Sequence, residues 1–102
     1  IFHFDKMWIN FGTGKASGVA GEFYLTTKEA LVMKLLVEKK GDAVRREELL
    51  EKVWGYDPQT ETRTVDNFIS RLRKYFEKTP QEPVHIITVR EKGYQFDSGS
   101  DN

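Results

Sequence analysis

The stretch RTVDNFISRLRKYFEK, residues 63–78, decides the fold. At roughly 100° per residue, four of its apolar side chains fall within about 40° of one line along a helix, and such a stripe faces a core. The spacing predicts a helix that starts near Thr62 or Arg63 and runs to about Lys78. The residues of the apolar stripe are Val65, Ile69, Leu72 and Phe76.

The opposite face of this helix carries charge of one sign only. It has no carboxylate, although the whole chain has a formal net charge of zero. Arginine can grip guanine and asparagine can grip adenine through paired hydrogen bonds, while lysine supplies a point charge to phosphate. An ordinary solvated helix face is the alternative interpretation. This outward face consists of Arg63, Asn67, Ser70, Arg71, Lys74 and Lys78.

Two shorter helices precede this one. Thr26-Thr-Lys-Glu29 matches a capping box, so it predicts a helix start, and Gly41 is a suitable stop. The apolar spacing predicts a second helix from about Arg46 to Trp54, which Gly55-Tyr-Asp-Pro58 breaks.

The remaining segments predict strands. Alternating apolar and polar residues between glycine turns indicate three or four antiparallel strands in residues 1–25, and His85–Val89 with Tyr94–Phe96 indicates a hairpin turning at Glu91-Lys-Gly93. Strands, three helices and a hairpin form the winged helix-turn-helix arrangement, an α+β fold. We expect one domain over residues 1–97, with the sheet at 1–25, the helices at 26–78, the wing at 84–96, and a flexible tail at 98–102.

Composition argues against several classes of protein. The chain of 102 residues has no cysteine, which excludes a disulfide, a zinc–thiolate site and a thiol nucleophile. His3 and His85 lie on different predicted strands, and Gly12-Thr-Gly-Lys15 lacks the spacing of a phosphate-binding loop. We therefore expect no enzyme activity, no metal and no cofactor.

The chain shows no targeting signal that we recognise. No apolar run approaches the roughly 18–20 residues of a membrane span, and residues 1–11 do not resemble a signal peptide. We expect a cytoplasmic domain without membrane attachment, and the initial Ile1 suggests a fragment of a longer protein.

Positive charge is concentrated in the second part of the chain. Residues 63–96 hold seven Lys/Arg and four Asp/Glu, whereas residues 1–62 hold nine and ten. Affinity for phosphate depends on where cations cluster, because each neutralised phosphate releases counterions locally. The distribution therefore permits nucleic-acid binding despite the zero net charge.

Along nearly its whole length the chain resembles the OmpR/PhoB family of response-regulator effector domains. Several motifs appear in order at the expected separations, and together they are far more specific than any one. The resemblance implies a four-stranded N-terminal antiparallel sheet, three helices and a C-terminal hairpin wing. The motifs are Leu25-Thr-Thr-Lys-Glu29, Arg46-Glu-Glu-Leu-Leu50, Val53-Trp-Gly55, Arg63-Thr-Val-Asp66, Ile69-Ser-Arg-Leu-Arg-Lys74, Thr88-Val-Arg90 and Gly93-Tyr-Gln-Phe96.

The resemblance also implies residue roles. Asn67 and Arg71 lie where such domains read bases, and Arg90 where the wing enters a minor groove. Residues placed where the family holds phosphates are Arg63, Arg73, Thr88, Tyr94 and Trp54. The DNA-binding set that we expect also includes Thr64, Ser70, Lys74, Lys78 and Lys92. A loop that can contact RNA polymerase corresponds to Gly55, Tyr56, Asp57, Pro58, Gln59, Thr60 and Glu61.

Three departures from the family pattern stand out. Arg45 replaces a helix-capping serine, so that cap must be weaker or come from elsewhere. Phe68 replaces a frequent histidine that touches the DNA backbone, so either a phosphate contact is lost or Phe68 extends the core, which we favour. Glu91-Lys92 replaces Gly-x at the wing turn, which stiffens the tip and places a carboxylate beside Arg90.

Two further points concern the flanks of the third helix. Asp66 and Arg73 lie near each other in the helical projection and could pair along one flank. Tyr75, on the other flank, could form either the core edge or the groove edge.

The resemblance implies sequence-specific binding of double-stranded promoter DNA by a monomer that forms head-to-tail pairs on direct repeats. It also implies a two-component system, in which a receiver domain outside this chain is phosphorylated by a cognate histidine kinase. Two alternatives remain: a protein-interaction module, with RNA polymerase as one partner, that docks on the third helix or the 55–61 loop, and an architectural DNA binder without sequence preference.

Overall fold

A four-stranded antiparallel sheet opens the chain, in a computed structural model that describes residues 1–55, 57 and 59–99. Its strands are β1 (Phe2–Phe4), β2 (Met7–Ile9), β3 (Lys15–Gly18) and β4 (Gly21–Tyr24), in the order β1-β2-β3-β4. Each strand pairs with the next along the chain, as the glycine-punctuated sequence predicted. The structure therefore confirms the larger of the two strand numbers that we considered.

Three helices follow the sheet: α1 (Thr27–Glu38), α2 (Arg46–Trp54) and α3 (Thr62–Phe76). The capping box of α1 is present, since Thr26 and Glu29 each accept a backbone N–H from the other. Arg45 occupies the N-cap of α2 without a side-chain hydrogen bond, as its sequence predicted. The end of α3 at Phe76 is two residues earlier than predicted.

The wing is a hairpin of β5 (Ile86–Val89) and β6 (Gly93–Phe96). His85, predicted as the first residue of this hairpin, instead precedes β5. Val44, between α1 and α2, pairs with Tyr94 through two backbone hydrogen bonds of 2.7 and 3.0 Å. This bridge ties the wing to the helices, and the whole arrangement confirms the predicted winged-helix, α+β fold.

The predicted apolar stripe of α3 forms the centre of the core. Its four side chains are all buried, and they pack with Val32, Leu36 and Leu49 from α1 and α2. Phe4 joins the sheet to the same core, with its ring centroid 5.6 Å from that of Phe76 and 5.1 Å from that of Phe96. The core thus holds α3 with one side inward and leaves its other side to solvent.

The described residues contain neither a membrane-spanning helix nor a metal-binding cluster. Among residues 1–55, 57 and 59–99, no helix is long and apolar enough to cross a bilayer. The same residues include no cluster of three or more His, Cys, Asp or Glu side chains that could hold a metal ion.

Candidate nucleic-acid interface

The outward face of α3 is exposed, as its helical periodicity predicted. Every residue of that face within the helix is open to solvent, whereas each member of the apolar stripe is buried. No carboxylate belongs to this set, so the charged residues of the face itself are all cations. The exposed residues are Arg63, Asn67, Ser70, Arg71 and Lys74.

Lys78 does not belong to this face, which corrects the sequence prediction. The helix ends at Phe76 because the chain becomes extended at Glu77, whose buried carboxylate accepts the backbone N–H groups of residues 84, 85 and 86. Lys78 instead lines a cleft of about 580 Å³ together with Asp5 and Val19, which lie in turns of the N-terminal sheet. Any role for Lys78 in binding DNA therefore cannot come from the α3 surface.

Arg71 is exposed but not free. Its guanidinium carbon lies 4.0 Å from the centre of the Phe68 ring, and Nη1 lies 3.7 Å from Oε2 of Glu29. The same carboxylate accepts a 2.9 Å hydrogen bond from the Tyr75 hydroxyl. Burial, together with this hydrogen bond, raises the pKa of Tyr75. The Tyr75 ring packs on Phe23 of β4, so Tyr75 lies at the core edge.

Phe68 does not extend the core, which corrects our favoured interpretation. The ring is half-buried and meets Trp54 of α2 edge to face, with 4.8 Å between the centroids. Helical geometry places Phe68 on the α3 flank facing α2, outside the apolar stripe. The two rings form a small aromatic surface next to the outward face.

Asp66 is the centre of a network that joins α2, α3 and the wing. It accepts a 2.9 Å hydrogen bond from Nε of Arg46 and a 2.7 Å hydrogen bond from the Tyr94 hydroxyl. Burial alone would raise the pKa of Asp66, but hydrogen bonds from Arg46 and Tyr94 outweigh it and keep that pKa below its usual value. The carboxylate therefore stays ionised and connects α2, α3 and the wing.

The predicted pairing of Asp66 with Arg73 is wrong. Arg73 turns to the wing instead, where it donates 2.9 Å hydrogen bonds to the Ile86 carbonyl and to Oγ1 of Thr88. Tyr94 is 8% exposed, and burial with the Asp66 hydrogen bond raises its pKa to about 12. Arg73, Thr88 and Tyr94 thus have partners within the protein, and their phosphate contacts stay predictions.

The wing tip presents two cations and one carboxylate to solvent. Arg90, Glu91 and Lys92 are all exposed in the turn between β5 and β6. Glu91 has φ of 66°, a left-handed backbone conformation that a non-glycine residue adopts at some cost. The tip is therefore a tight turn with a negative charge between its two positive ones.

The α2–α3 segment carries the predicted polymerase-contact loop. Gly55, Asp57, Gln59 and Glu61 are exposed, and Thr60 is half-buried. Tyr56 and Pro58, which belong to the same prediction, lie outside the described residues. Thr64 is half-buried in the first turn of α3, where its backbone N–H bonds to the Glu61 carbonyl.

The sequence predicted the exposed face of α3 but not the residues of other helices that contact the polar side chains of α3. Glu29 was identified only as a helix cap, and Arg46 only as part of a motif. Their partners on α3 are 42 and 20 positions away in the chain. Periodicity within one helix carries no signal for such contacts.

Three helices, the third with an exposed cationic face, followed by a hairpin wing place the domain in the winged-helix class. The family described as "Transcriptional regulatory protein, C terminal" matches residues 20–96. The chain belongs to this family, the effector domains of OmpR/PhoB-type transcription regulators.

Similar proteins include transcription regulators of greater length. A probable transcriptional regulator ycf27 of Cyanophora paradoxa is 42% identical over 78 residues, covering 74% of this chain and 33% of the relative. The sensory transduction protein RegX3 of Mycobacterium leprae is 38% identical over 74 residues, covering 72% and 37%. The chain thus spans about a third of the length of these curated relatives.

Two solved structures share the fold closely. The response regulator DrrB of Thermotoga maritima, described as an OmpR/PhoB homolog, superposes with a TM-score of 0.83 at 33% identity, over 94% of this chain and 43% of that one. The RstA DNA-binding domain of Klebsiella pneumoniae, solved in complex with the RstA box, gives 0.80 at 30% identity, over 95% and 96%.

Proposed function

We propose that this domain binds double-stranded promoter DNA in a sequence-specific manner, with α3 in the major groove and the wing directed at the adjacent minor groove. The observation that carries the proposal is the exposed α3 face, which holds cations, an amide and a hydroxyl but no carboxylate. A helix fits the major groove, and a face of this composition can contact both phosphates and base edges. RstA, which has the same fold, is described in complex with its DNA box.

Within this proposal the exposed residues divide into two groups. Asn67 and Arg71 carry the planar, bidentate groups that suit base edges, whereas Arg63, Lys74 and Lys92 supply positive charge to phosphates. Arg90, exposed at the wing tip, enters the minor groove in this proposal, because narrow A·T-rich tracts attract an arginine. Ser70, between these groups on α3, can contact either.

We also propose how the domain pairs on DNA and how it is regulated within a longer protein. The domain binds direct repeats as head-to-tail pairs and is a monomer when free. Its activity is controlled by a receiver domain outside this chain, which a histidine kinase phosphorylates. The relatives described as a sensory transduction protein and as a response regulator support this arrangement.

The test is a titration of duplex DNA at several salt concentrations. The logarithm of the binding constant should fall linearly with that of the salt concentration, by about 0.9 for each phosphate neutralised. Lys74→Ala should lower the steepness of this slope by about one, whereas Lys40→Ala, an equal charge change at the end of α1, should leave it unchanged. A slope near zero would overturn the proposal and favour the protein-interaction alternative.

Specificity is tested on a duplex selected from a randomised library. Arg71→Ala should cost about 1–3 kcal/mol of binding free energy and relax the preference at one base pair. Equal affinity of the wild-type domain for the selected duplex and for random duplexes would favour an architectural binder instead.

A further inference from the structure

The Arg71 guanidinium is held between an aromatic ring and a buried carboxylate. Its Cζ lies 4.0 Å from the centre of the Phe68 ring, and its Nη1 lies 3.7 Å from Oε2 of Glu29. The Arg71 side chain is 47% exposed, whereas Glu29 is 2% exposed. A surface arginine with these two neighbours samples fewer rotamers than one that projects freely into water.

The aromatic neighbour is itself fixed in place. Phe68 precedes Arg71 by three residues, so the two side chains lie on the same flank of α3. The edge-to-face contact with Trp54, at 4.8 Å between centroids, fixes the orientation of the Phe68 ring. Trp54 in turn packs against the core, so the ring is attached to the body of the domain rather than to α3 alone.

The carboxylate neighbour is equally constrained. Oε1 of Glu29 accepts the Thr26 N–H at 2.8 Å, and Oε2 accepts the Tyr75 hydroxyl at 2.9 Å. Both donors are neutral, and Arg71 brings a positive charge to the edge of this buried negative one. The Glu29 side chain cannot follow a moving arginine without breaking the capping box of α1.

We propose that Phe68 and Glu29 are positioning residues that order the Arg71 guanidinium before DNA arrives, which makes Phe68 a determinant of sequence specificity. The inference rests on the proposed function. Stacking leaves the N–H groups in the plane of a guanidinium free, so Arg71 can stay on the ring while it donates to a base. A side chain that is already ordered loses less freedom on binding.

The first test is a double-mutant cycle between Phe68→Leu and Arg71→Ala. Leucine keeps an apolar side chain against Trp54 but removes the π face. With a duplex selected by the wild-type domain, Phe68→Leu should weaken binding by about two- to five-fold, the range of an exposed cation–π contact. In the Arg71→Ala background the same change should not weaken binding any further. For random duplexes, Phe68→Leu should leave the affinity unchanged. Tyr24→Leu, at an exposed aromatic residue of β4, is the matched control.

The second test needs no DNA. In the wild-type domain the side-chain N–H signal of Arg71 should show a ring-current shift by NMR, and Phe68→Leu should abolish it. Glu29→Gln, which preserves the capping geometry, should increase the mobility of the same side chain. An unshifted, mobile Arg71 signal in the wild type would overturn the inference.

The outcomes separate the two proposals. A wild-type domain that selects no duplex overturns the proposed function and, with it, this role in base readout. A selected duplex with equal losses from Phe68→Leu in both backgrounds overturns the positioning role alone, because Phe68 would then act through the fold rather than through Arg71.

Discussion

Asp66 shows how one side chain can hold three elements together. It lies on α3, accepts hydrogen bonds from Arg46 of α2 and Tyr94 of the wing, and remains ionised because those donors outweigh the effect of its burial. These hydrogen bonds connect α3 to both α2 and the wing. Arg73, on the same side of α3, adds a second tie to β5 through Ile86.

Asp66→Asn should lower the free energy of unfolding at pH 7 by about 1–3 kcal/mol, between the values for exposed and buried ion pairs. Because the folded-state pKa of Asp66 is lowered, its contribution is complete above the unfolded-state pKa and is lost as the pH falls through the folded-state pKa. The difference between wild type and variant should therefore shrink below about pH 4.

Urea denaturation between pH 2.5 and 7 measures this difference. Asp42→Asn, at an exposed position between α1 and α2, is the control for loss of a carboxylate. A gap between wild type and Asp66→Asn that stays constant down to the lowest pH would contradict the assignment.

At the scale of elements, α1 and α2 differ in how they begin. Thr26 and Glu29 cap α1 reciprocally, whereas Arg45 has the extended backbone of an N-cap, with φ −68° and ψ 145°, but no capping side chain. Serine fits the same backbone and can accept an orphan N–H. The Arg45–Glu47 ion pair at 3.7 Å is exposed, so its loss should matter little.

Arg45→Ser should therefore raise the free energy of unfolding by about 0.5–1 kcal/mol. The midpoint of urea denaturation at an unchanged slope is the measurement. Thr26→Ala should have the opposite effect and lower the free energy of unfolding by about 1 kcal/mol, because it removes the α1 cap. A stability of Arg45→Ser at or below that of the wild type would show that the α2 start does not need a cap.

At the tip of the wing, the carboxylate of Glu91 lies between two cations. Glu91→Asn removes the carboxylate next to Arg90, and asparagine tolerates the left-handed backbone at this position. We expect affinity for duplex DNA to increase a few-fold at low salt, with stability no lower than that of the wild type and the gain in affinity shrinking as salt screens the charge. Glu22→Gln on β4 should leave the affinity as it is, and a gain of the same size there would mean that only net charge matters.

At the scale of the whole molecule, the sheet and the helices meet at very close range. The Val19 N–H donates a 2.8 Å hydrogen bond to the Tyr75 carbonyl, and a Cβ at Gly18 would clash with that carbonyl oxygen. The sheet therefore contacts the α3 backbone directly, on the same turn of helix whose side chains reach Glu29. Position 18 needs a glycine because of this approach.

Gly18→Ala should consequently lower the free energy of unfolding by about 1–3 kcal/mol, the usual effect of overpacking. The control is Gly12→Ala, where the added methyl meets only the Asn10 side chain, at 3.2 Å. Thermal melts of both variants provide the comparison. Equal melting temperatures for Gly18→Ala and the wild type would mean that the sheet can separate from α3 at little cost.

By itself the sequence determined the order of strands, helices and hairpin, the buried stripe of α3 and the exposed cationic face. These features follow from local backbone geometry, because a 3.6-residue repeat and a capping box lie within one element. The uncapped start of α2 also agrees with the sequence, which has Arg45 where the family pattern has a capping serine.

Only the tertiary structure decided which partners the long polar side chains have. Asp66 bonds to Arg46 and Tyr94 rather than Arg73, Lys78 lies beyond the end of α3, and Phe68 supports Arg71 instead of the core. A charged side chain several ångströms long reaches many neighbours, and the packing of distant elements selects among them. No periodicity within a single element records that selection.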